Sequence, residues 1–177
     1  MKSNKYKILV LSDLKQTASL ALGYAANVSQ EIDADVEVFY VKKATEVIET
    51  ESPLSAIRII SEVCRQTEKK IKDLVSPISK ENDVDIKTTF AFGNIKNEIE
   101  NRINSSQPDI IVLGERKQKR FNFLGDNITD FVYKNYNGVV LVATENDFLD
   151  SKGKLSIDNL VMKSNTISSQ TKNEKTT

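Results

Sequence analysis

Short runs of apolar residues alternate along this chain with segments in which apolar residues recur every three or four positions. The runs are typical of buried strands, and the longer steps are typical of one face of a helix. We predict strands at 6–12, 36–41, 84–92, 110–113 and 139–142, with a helix between each pair. The order β-α-β-α-β-α-β-α-β indicates an α/β domain with an open parallel sheet and helices on both faces.

Boundary signals accompany the predicted helices. Thr17 is suited to cap the first helix, and Ser52-Pro53 opens the second, because proline is favoured at the first helical position. Pro77 predicts a disturbance of the last turns of the second helix. The inward face of that helix is predicted to comprise Leu54, Ile57, Ile60, Cys64, Thr67, Ile71, Leu74 and Val75.

The composition changes near Asp147, after which Ser, Lys, Asn and Thr dominate. A stable core cannot be built from such residues. We therefore divide the chain into an α/β domain at 1–146 and a polar, flexible tail at 147–177. One apolar cluster, at 155–162, interrupts the tail. It is either a segment that docks on the domain or on a partner, or an incidental cluster in a disordered terminus.

Charge and hydropathy narrow the class of protein. The chain has 25 basic and 25 acidic residues, and this balance favours neither nucleic acid nor an anionic membrane as a partner. It contains no apolar run of about 18 residues, so we expect no membrane span. Cys64 is the single cysteine, which excludes an internal disulfide and fits a reducing cytoplasm.

The chain contains no histidine. The commonest general base near neutral pH and the commonest transition-metal ligand are therefore missing. Nucleophilic catalysis by a Ser-His or Cys-His pair is excluded. We predict that the protein is not an enzyme and that it holds no metal ion.

The segment 108–142 contains the best candidate for a binding site. A predicted strand ends at Gly114, and Gly125 opens the next predicted helix. Ligands of open α/β sheets bind outside the carboxyl ends of the strands, and a helix N-terminus attracts anions. A nucleotide phosphate would therefore bind here, unless the loop is merely a solvated charged surface. The basic residues of this loop are Arg116, Lys117, Lys119 and Arg120.

Three stretches, at 7–13, 92–99 and 108–142, have the order and spacing of a known family. Over residues 5–144 the chain resembles a universal stress protein domain. The resemblance implies an adenine nucleotide alpha hydrolase-like fold with strand order 3-2-1-4-5. It also implies a homodimer that pairs through the last strand, Val139 to Val142.

Nucleotide-binding members of that family have the pattern G-x2-G-x9-G-[S/T]. Gly114 matches its first glycine, but Lys117 stands at the second, and Gly125-Asp126 replaces the final pair after seven rather than nine residues. Glycine lets the backbone approach a phosphate closely because it has no side chain, whereas lysine at the same position makes such an approach energetically costly. The carboxylate of Asp126 would repel a triphosphate. The basic loop argues partly the other way, since Lys and Arg side chains can hold phosphates.

Two further residues correspond to the family's adenine pocket. The resemblance places Asp13 in that pocket, although an aspartate after a strand also stabilises turns. Val41 matches a pocket-lining position at the end of the second strand, and a plain core role is the alternative.

These observations predict a non-catalytic, stress-response regulatory protein that acts as a dimeric interaction module, with a possible protein partner and no cofactor. The alternative is an adenine-nucleotide binder, with weak affinity for ATP or AMP through a modified phosphate loop. ATP hydrolysis is the least supported function, because we find no residues for a metal site or an oriented water.

Overall fold

The structure is a computed structural model, and it describes residues 5–43, 53–115 and 128–144. The described strands and helices alternate along the chain, as the apolar pattern predicts. They are β1 Tyr6–Ser12, α1 Gln16–Ile32, β2 Ala34–Lys43, α2 Pro53–Asn82, β3 Ile86–Gly93, α3 Ile95–Ser106, β4 Ile110–Gly114, α4 Ile128–Asn135 and β5 Val139–Ala143. The predicted tail at 147–177 lies outside the described residues, and the domain division there stays a prediction.

The five described strands form one parallel sheet in the order β3-β2-β1-β4-β5, which confirms the predicted order. β1 is central, and Val10 pairs in register with Val38 of β2 and Val112 of β4. Just before β4, the amide of Asp109 donates a 2.9 Å hydrogen bond to the carbonyl oxygen of Lys7. The Asp109 carboxylate in turn accepts a 2.8 Å hydrogen bond from the Lys7 amide, 102 residues away.

Side chains alternate between the two faces of the sheet, as strand geometry requires. On one face Val10, Val38 and Val112 pack with buried residues of α1 and α2. On the other face Leu9, Leu11, Phe39 and their neighbours pack with residues of α3 and α4, Ile99 and Val132 among them. The sheet is therefore covered by helices on both sides, as predicted.

The two described helix starts are built differently. α3 is capped by Asn94, whose side-chain oxygen accepts hydrogen bonds from the amides of Lys96 and Asn97. α1 starts one residue before Thr17, and its N-cap Lys15 makes no side-chain capping bond. The prediction that Thr17 caps α1 is therefore wrong: Thr17 already has helical backbone, and only an extended residue can serve as the N-cap.

The structure corrects one prediction for α2 and leaves another untested. The helix continues through Pro77, which is exposed, to Asn82, so the proline does not end it, and a local disturbance at Pro77 stays a prediction. Thr67, Ile71, Leu74 and Val75 are buried or half-buried as expected, but Ile57 and Ile60 are 62% and 36% exposed. The side chain of Leu54 is outside the described part of the chain.

Length explains why the first turns of α2 are exposed. The helix has 30 residues and is about 45 Å long, whereas the eight residues of β3 span about 26 Å. Because only three residues separate Asn82 from Ile86, the two elements meet at the amino end of the strand. The other end of α2 therefore extends beyond the carboxyl edge of the sheet.

Among the described helices, none combines the length and apolar character that a membrane crossing demands.

Candidate functional site

The structure brings three of the predicted site residues to one edge of the sheet. Asp13 follows β1, Val41 lies near the end of β2, and Gly114 ends β4. These strands are neighbours, and all three are parallel. The chain continues from β1 to β2 and β3 on one side of the sheet, and β4 and β5 lie on the other side of β1. The carboxyl edge at β1 is therefore a topological switch point, where ligands of open α/β sheets bind. The other predicted site residues, Lys117, Gly125 and Asp126, lie outside the described residues.

Asp13 belongs to a tight turn between β1 and α1. Its carboxylate oxygen Oδ1 accepts a 3.0 Å hydrogen bond from the amide of Lys15. The preceding Ser12 Oγ accepts a 3.1 Å bond from the amide of Leu14, which has a positive φ of 56°. Side-chain oxygens that accept from the backbone two residues ahead stabilise such turns. The turn role considered for Asp13 is therefore observed, while its place in an adenine pocket stays a prediction.

Gly114 packs against the first turn of α1. A Cβ atom placed on Gly114 would lie 2.8 Å from the backbone carbonyl oxygen of Thr17 and 3.1 Å from its Oγ1. Real Cβ atoms do not approach a backbone oxygen so closely, and the helix could not move away without losing its packing on the sheet. A glycine is thus required at this position by the contact between β4 and α1.

Val41 is buried, with 9% of its surface exposed. It belongs to the cluster of apolar side chains beneath α3 and α4, and it pairs in register with Ala91 of β3. A core role for Val41 is consistent with this packing. Its predicted part in lining an adenine pocket stays a prediction.

A partly buried cluster of polar side chains on the α3 side of the sheet is not predicted from the sequence. Glu37 of β2 accepts hydrogen bonds at one carboxylate oxygen, Oε1, from the Arg102 guanidinium of α3 and from the Thr89 hydroxyl of β3. The side chains of Glu37 and Arg102 are 13% and 21% exposed. The signal in the sequence is a glutamate between two valines of a buried strand. Glu37 pairs with Leu9, well before the carboxyl edge, so this group joins α3 to the sheet rather than forming part of the candidate site.

Within the ranges that the structure describes, no three acidic or cysteine side chains come together as a possible metal site. The prediction that no metal is bound stays a prediction. Of the predicted site residues, those described at the carboxyl edge are one aspartate whose carboxylate is engaged in a turn, one buried valine and one tightly packed glycine. The residues predicted to contact a phosphate lie within 116–127, outside the described part of the chain, and their role stays a prediction.

The sequence matches the universal stress protein family over residues 6–143. The fold is similar to that of the universal stress protein UspA from Lactobacillus plantarum, with 22% identity and a TM-score of 0.62 over 78% of this chain and 97% of that chain. A universal stress protein family protein from Arabidopsis thaliana with AMP bound is 16% identical, with a TM-score of 0.53 over 80% of this chain and 94% of that one.

The universal stress protein from Archaeoglobus fulgidus in complex with dAMP is 15% identical, with a TM-score of 0.51 over 78% of this chain and 98% of that chain. No curated protein matches the sequence. At identities this low, similarity between structures establishes the fold alone.

Proposed function

Since this chain belongs to the universal stress protein family, we propose that it is a regulatory binding protein of a stress response, without catalytic activity, that does not hold ATP in the manner usual for the family. We further propose that it acts in the cytoplasm as a homodimer. The observation that carries the main proposal is the packing of Gly114.

Glycines of a phosphate loop leave space through which backbone N–H groups approach the anion. At Gly114 the space in which a side chain would begin is taken by the carbonyl oxygen of Thr17, which is a hydrogen-bond acceptor. An acceptor gives no stabilisation to a phosphate. Packing of α1 on β4 is sufficient reason for a glycine at position 114, so its match to the family pattern gives no independent support for nucleotide binding.

The other two motif positions support the same proposal. Lys117 replaces a glycine, and Asp126 replaces a hydroxyl residue with a carboxylate. A carboxylate near a triphosphate is repelled by it, and the loop between the two positions is two residues shorter than the pattern. Isothermal titration of the purified protein with Mg-ATP tests this directly. We expect no binding near micromolar concentration, and a dissociation constant of about 1 μM, or about −8 kcal/mol, would overturn the proposal.

The alternative function is binding of ATP or AMP through a modified phosphate loop. Two observations favour it: the four basic residues within 116–120, and similar structures whose names include bound AMP and dAMP. Mass spectrometry of the supernatant after denaturation of purified protein discriminates between the two functions. Release of a stoichiometric adenine nucleotide would support the alternative.

The dimer proposal is supported by the position of β5 at an edge of the sheet. The Val139 amide donates to the Asp109 carbonyl, and the Ala143 carbonyl accepts from the Glu115 amide. Because successive residues of a strand direct these groups to opposite sides, the N–H of Val142 points away from β4. Such an edge can pair with a second copy across a two-fold axis, giving an isologous interface.

A further inference from the structure

The apolar stripe of α2 continues beyond the sheet that it covers. Positions 57, 60, 64, 67, 71 and 75 recur at steps of three and four and therefore lie on one face of the helix. Thr67, Ile71 and Val75 are buried against the rest of the domain. Ile57 and Ile60 continue the same stripe into residues 56–66, which we call the α2 extension.

The α2 extension is amphipathic and presents its apolar side without cover from the described residues. On that side Ile57 and Ile60 are 62% and 36% exposed. The other side is polar, and there Glu62 accepts hydrogen bonds from Arg65 at 2.7 Å and from Gln66 at 2.8 Å. Large apolar side chains grouped on one face of a helix are typical of a surface that another segment covers.

We infer that residues 155–162 of the same chain cover the apolar side of the α2 extension. This stretch is the apolar cluster of the tail, and its apolar residues are Leu155, Ile157, Leu160, Val161 and Met162. The two surfaces are chemically matched, since each consists of aliphatic side chains within a charged surrounding.

The position of the last strand supports this occupant. β5 ends at Ala143 on the carboxyl edge of the sheet, the same edge beyond which the α2 extension projects. Four strand spacings, or about 19 Å, separate β5 from β3 across the sheet. The ten residues 145–154 span up to about 33–36 Å when extended, so residue 155 can reach the extension.

Covalent attachment also favours the tail over a separate molecule. A short tether holds the two surfaces at an effective concentration in the millimolar range, whereas a second copy must compete at its bulk concentration. The tail therefore needs only weak intrinsic affinity to occupy the extension most of the time.

Cys64 provides a probe for this contact, because it lies on the stripe, is half-buried, and is the single cysteine of the chain. We would measure its rate of alkylation by N-ethylmaleimide in the full chain and in an Ile157→Asp/Leu160→Asp double variant. If the tail covers the extension, the double variant should react at least threefold faster. A Ser164→Asp/Ser168→Asp variant adds the same two charges to the same tail outside the cluster, and it should react like the unmodified chain.

Equal rates in all three proteins would overturn the inference, because they would mean that something other than the tail covers the extension, or that nothing does. Protection of Cys64 that increases with protein concentration would also overturn it, since it would identify a second copy as the occupant. As an independent measurement, Asn159→Cys should form an intramolecular disulfide with Cys64 under mild oxidation, and Thr176→Cys should not. Disulfide-linked dimers in place of the intramolecular product would contradict the inference.

Discussion

Gly114 at the end of β4 and Thr17 in the first turn of α1 approach so closely that a Cβ atom on the glycine would lie 2.8 Å from the threonine carbonyl oxygen. Gly114→Ala should therefore destabilise the fold by about 1–3 kcal/mol, the usual cost of forcing an extra methyl group into a packed interior. Urea denaturation followed by circular dichroism measures the difference.

The neighbouring Glu115→Ala is the matched control, because its side chain is exposed and its loss should change stability by less than about 0.5 kcal/mol. Equal stability of Gly114→Ala and the control would show that α1 moves aside freely. Gly114 would then regain its interpretation as a phosphate-loop glycine.

Restoring the family's residues at two motif positions should improve ATP binding. We expect Lys117→Gly combined with Asp126→Ser to raise the affinity about tenfold, which corresponds to about 1.4 kcal/mol, because a repulsive carboxylate and a bulky side chain are both removed. Titration calorimetry with Mg-ATP measures the change. Lys119→Gly is the control, since it changes the same loop outside the motif. An unchanged affinity in the double variant would identify the shorter loop as the obstacle.

The hydrogen bond between Glu37 and Arg102 should contribute strongly to stability. Arg102→Ala leaves a carboxylate only 13% exposed without its cation, and we expect a loss of about 2–4 kcal/mol. Replacing both residues with leucine should restore part of that loss, because no buried charge then lacks a partner. Urea denaturation of Glu37→Leu, Arg102→Leu and the double leucine variant gives the coupling energy, and a coupling near zero would contradict the expectation.

Tyr136 should make the protein less stable in strong alkali. Its hydroxyl donates a 2.6 Å hydrogen bond to the carbonyl of Pro108, and burial together with the nearby Asp109 carboxylate raises its pKa to about 12. In the unfolded chain a tyrosine pKa is about 10. The folded state therefore holds the proton more tightly, and stability should fall as the pH rises from about 10 to about 12.

Denaturation midpoints measured at several alkaline pH values test this expectation. Burial also raises the pKa of Tyr133, so Tyr136→Phe should reduce the alkaline loss of stability without abolishing it. An identical pH dependence in the unmodified protein and in Tyr136→Phe would contradict the assigned role.

If β5 pairs with a second copy, proline at Val142 should prevent dimer formation. Proline has no N–H, and the N–H of Val142 points away from β4, so the substitution removes an edge donor while leaving the contacts with β4. Val142→Ala is the control, because it shortens the side chain but keeps the donor. Light scattering should give a dimer for the control and a monomer for Val142→Pro. A monomeric unmodified protein would end the dimer proposal. A substitution at Val140 would not test the pairing of β5, because its side chain is buried and the change would also disrupt the core.

Much of the fold follows from local patterns in the sequence. The bounds of β1, Tyr6–Ser12, are those predicted, since an apolar run with polar ends is a local signal. The exposure of Ile57 was not predictable in the same way. Periodicity tells which face of a helix is apolar, but it does not tell where the supporting sheet ends. The bond between Glu37 and Arg102 was missed because its partners are 65 residues apart, and only the fold brings them together.

The candidate site was predicted only in part. Asp13 and Gly114 could be placed at the carboxyl edge from strand order alone, and the structure finds both there. The contact of Gly114 with Thr17 could not be foreseen, because a glycine in a motif and a glycine in a close packing contact look the same in a sequence. The roles of Lys117, Gly125 and Asp126 stay predictions.

The central position of β1 has a consequence for synthesis on the ribosome. Its neighbour β2 follows after α1 alone. β4, which is preceded by the Asp109 that binds Lys7, is made only after α2, β3 and α3 as well. At about 5–20 residues per second, translation of that interval takes several seconds. Throughout this time, the side of β1 that will face β4 lacks its backbone partners, and such an edge attracts strands from other chains. We therefore expect a nascent chain to be most vulnerable to aggregation just before residues 110–114 emerge, and completion of β4 to end that exposure.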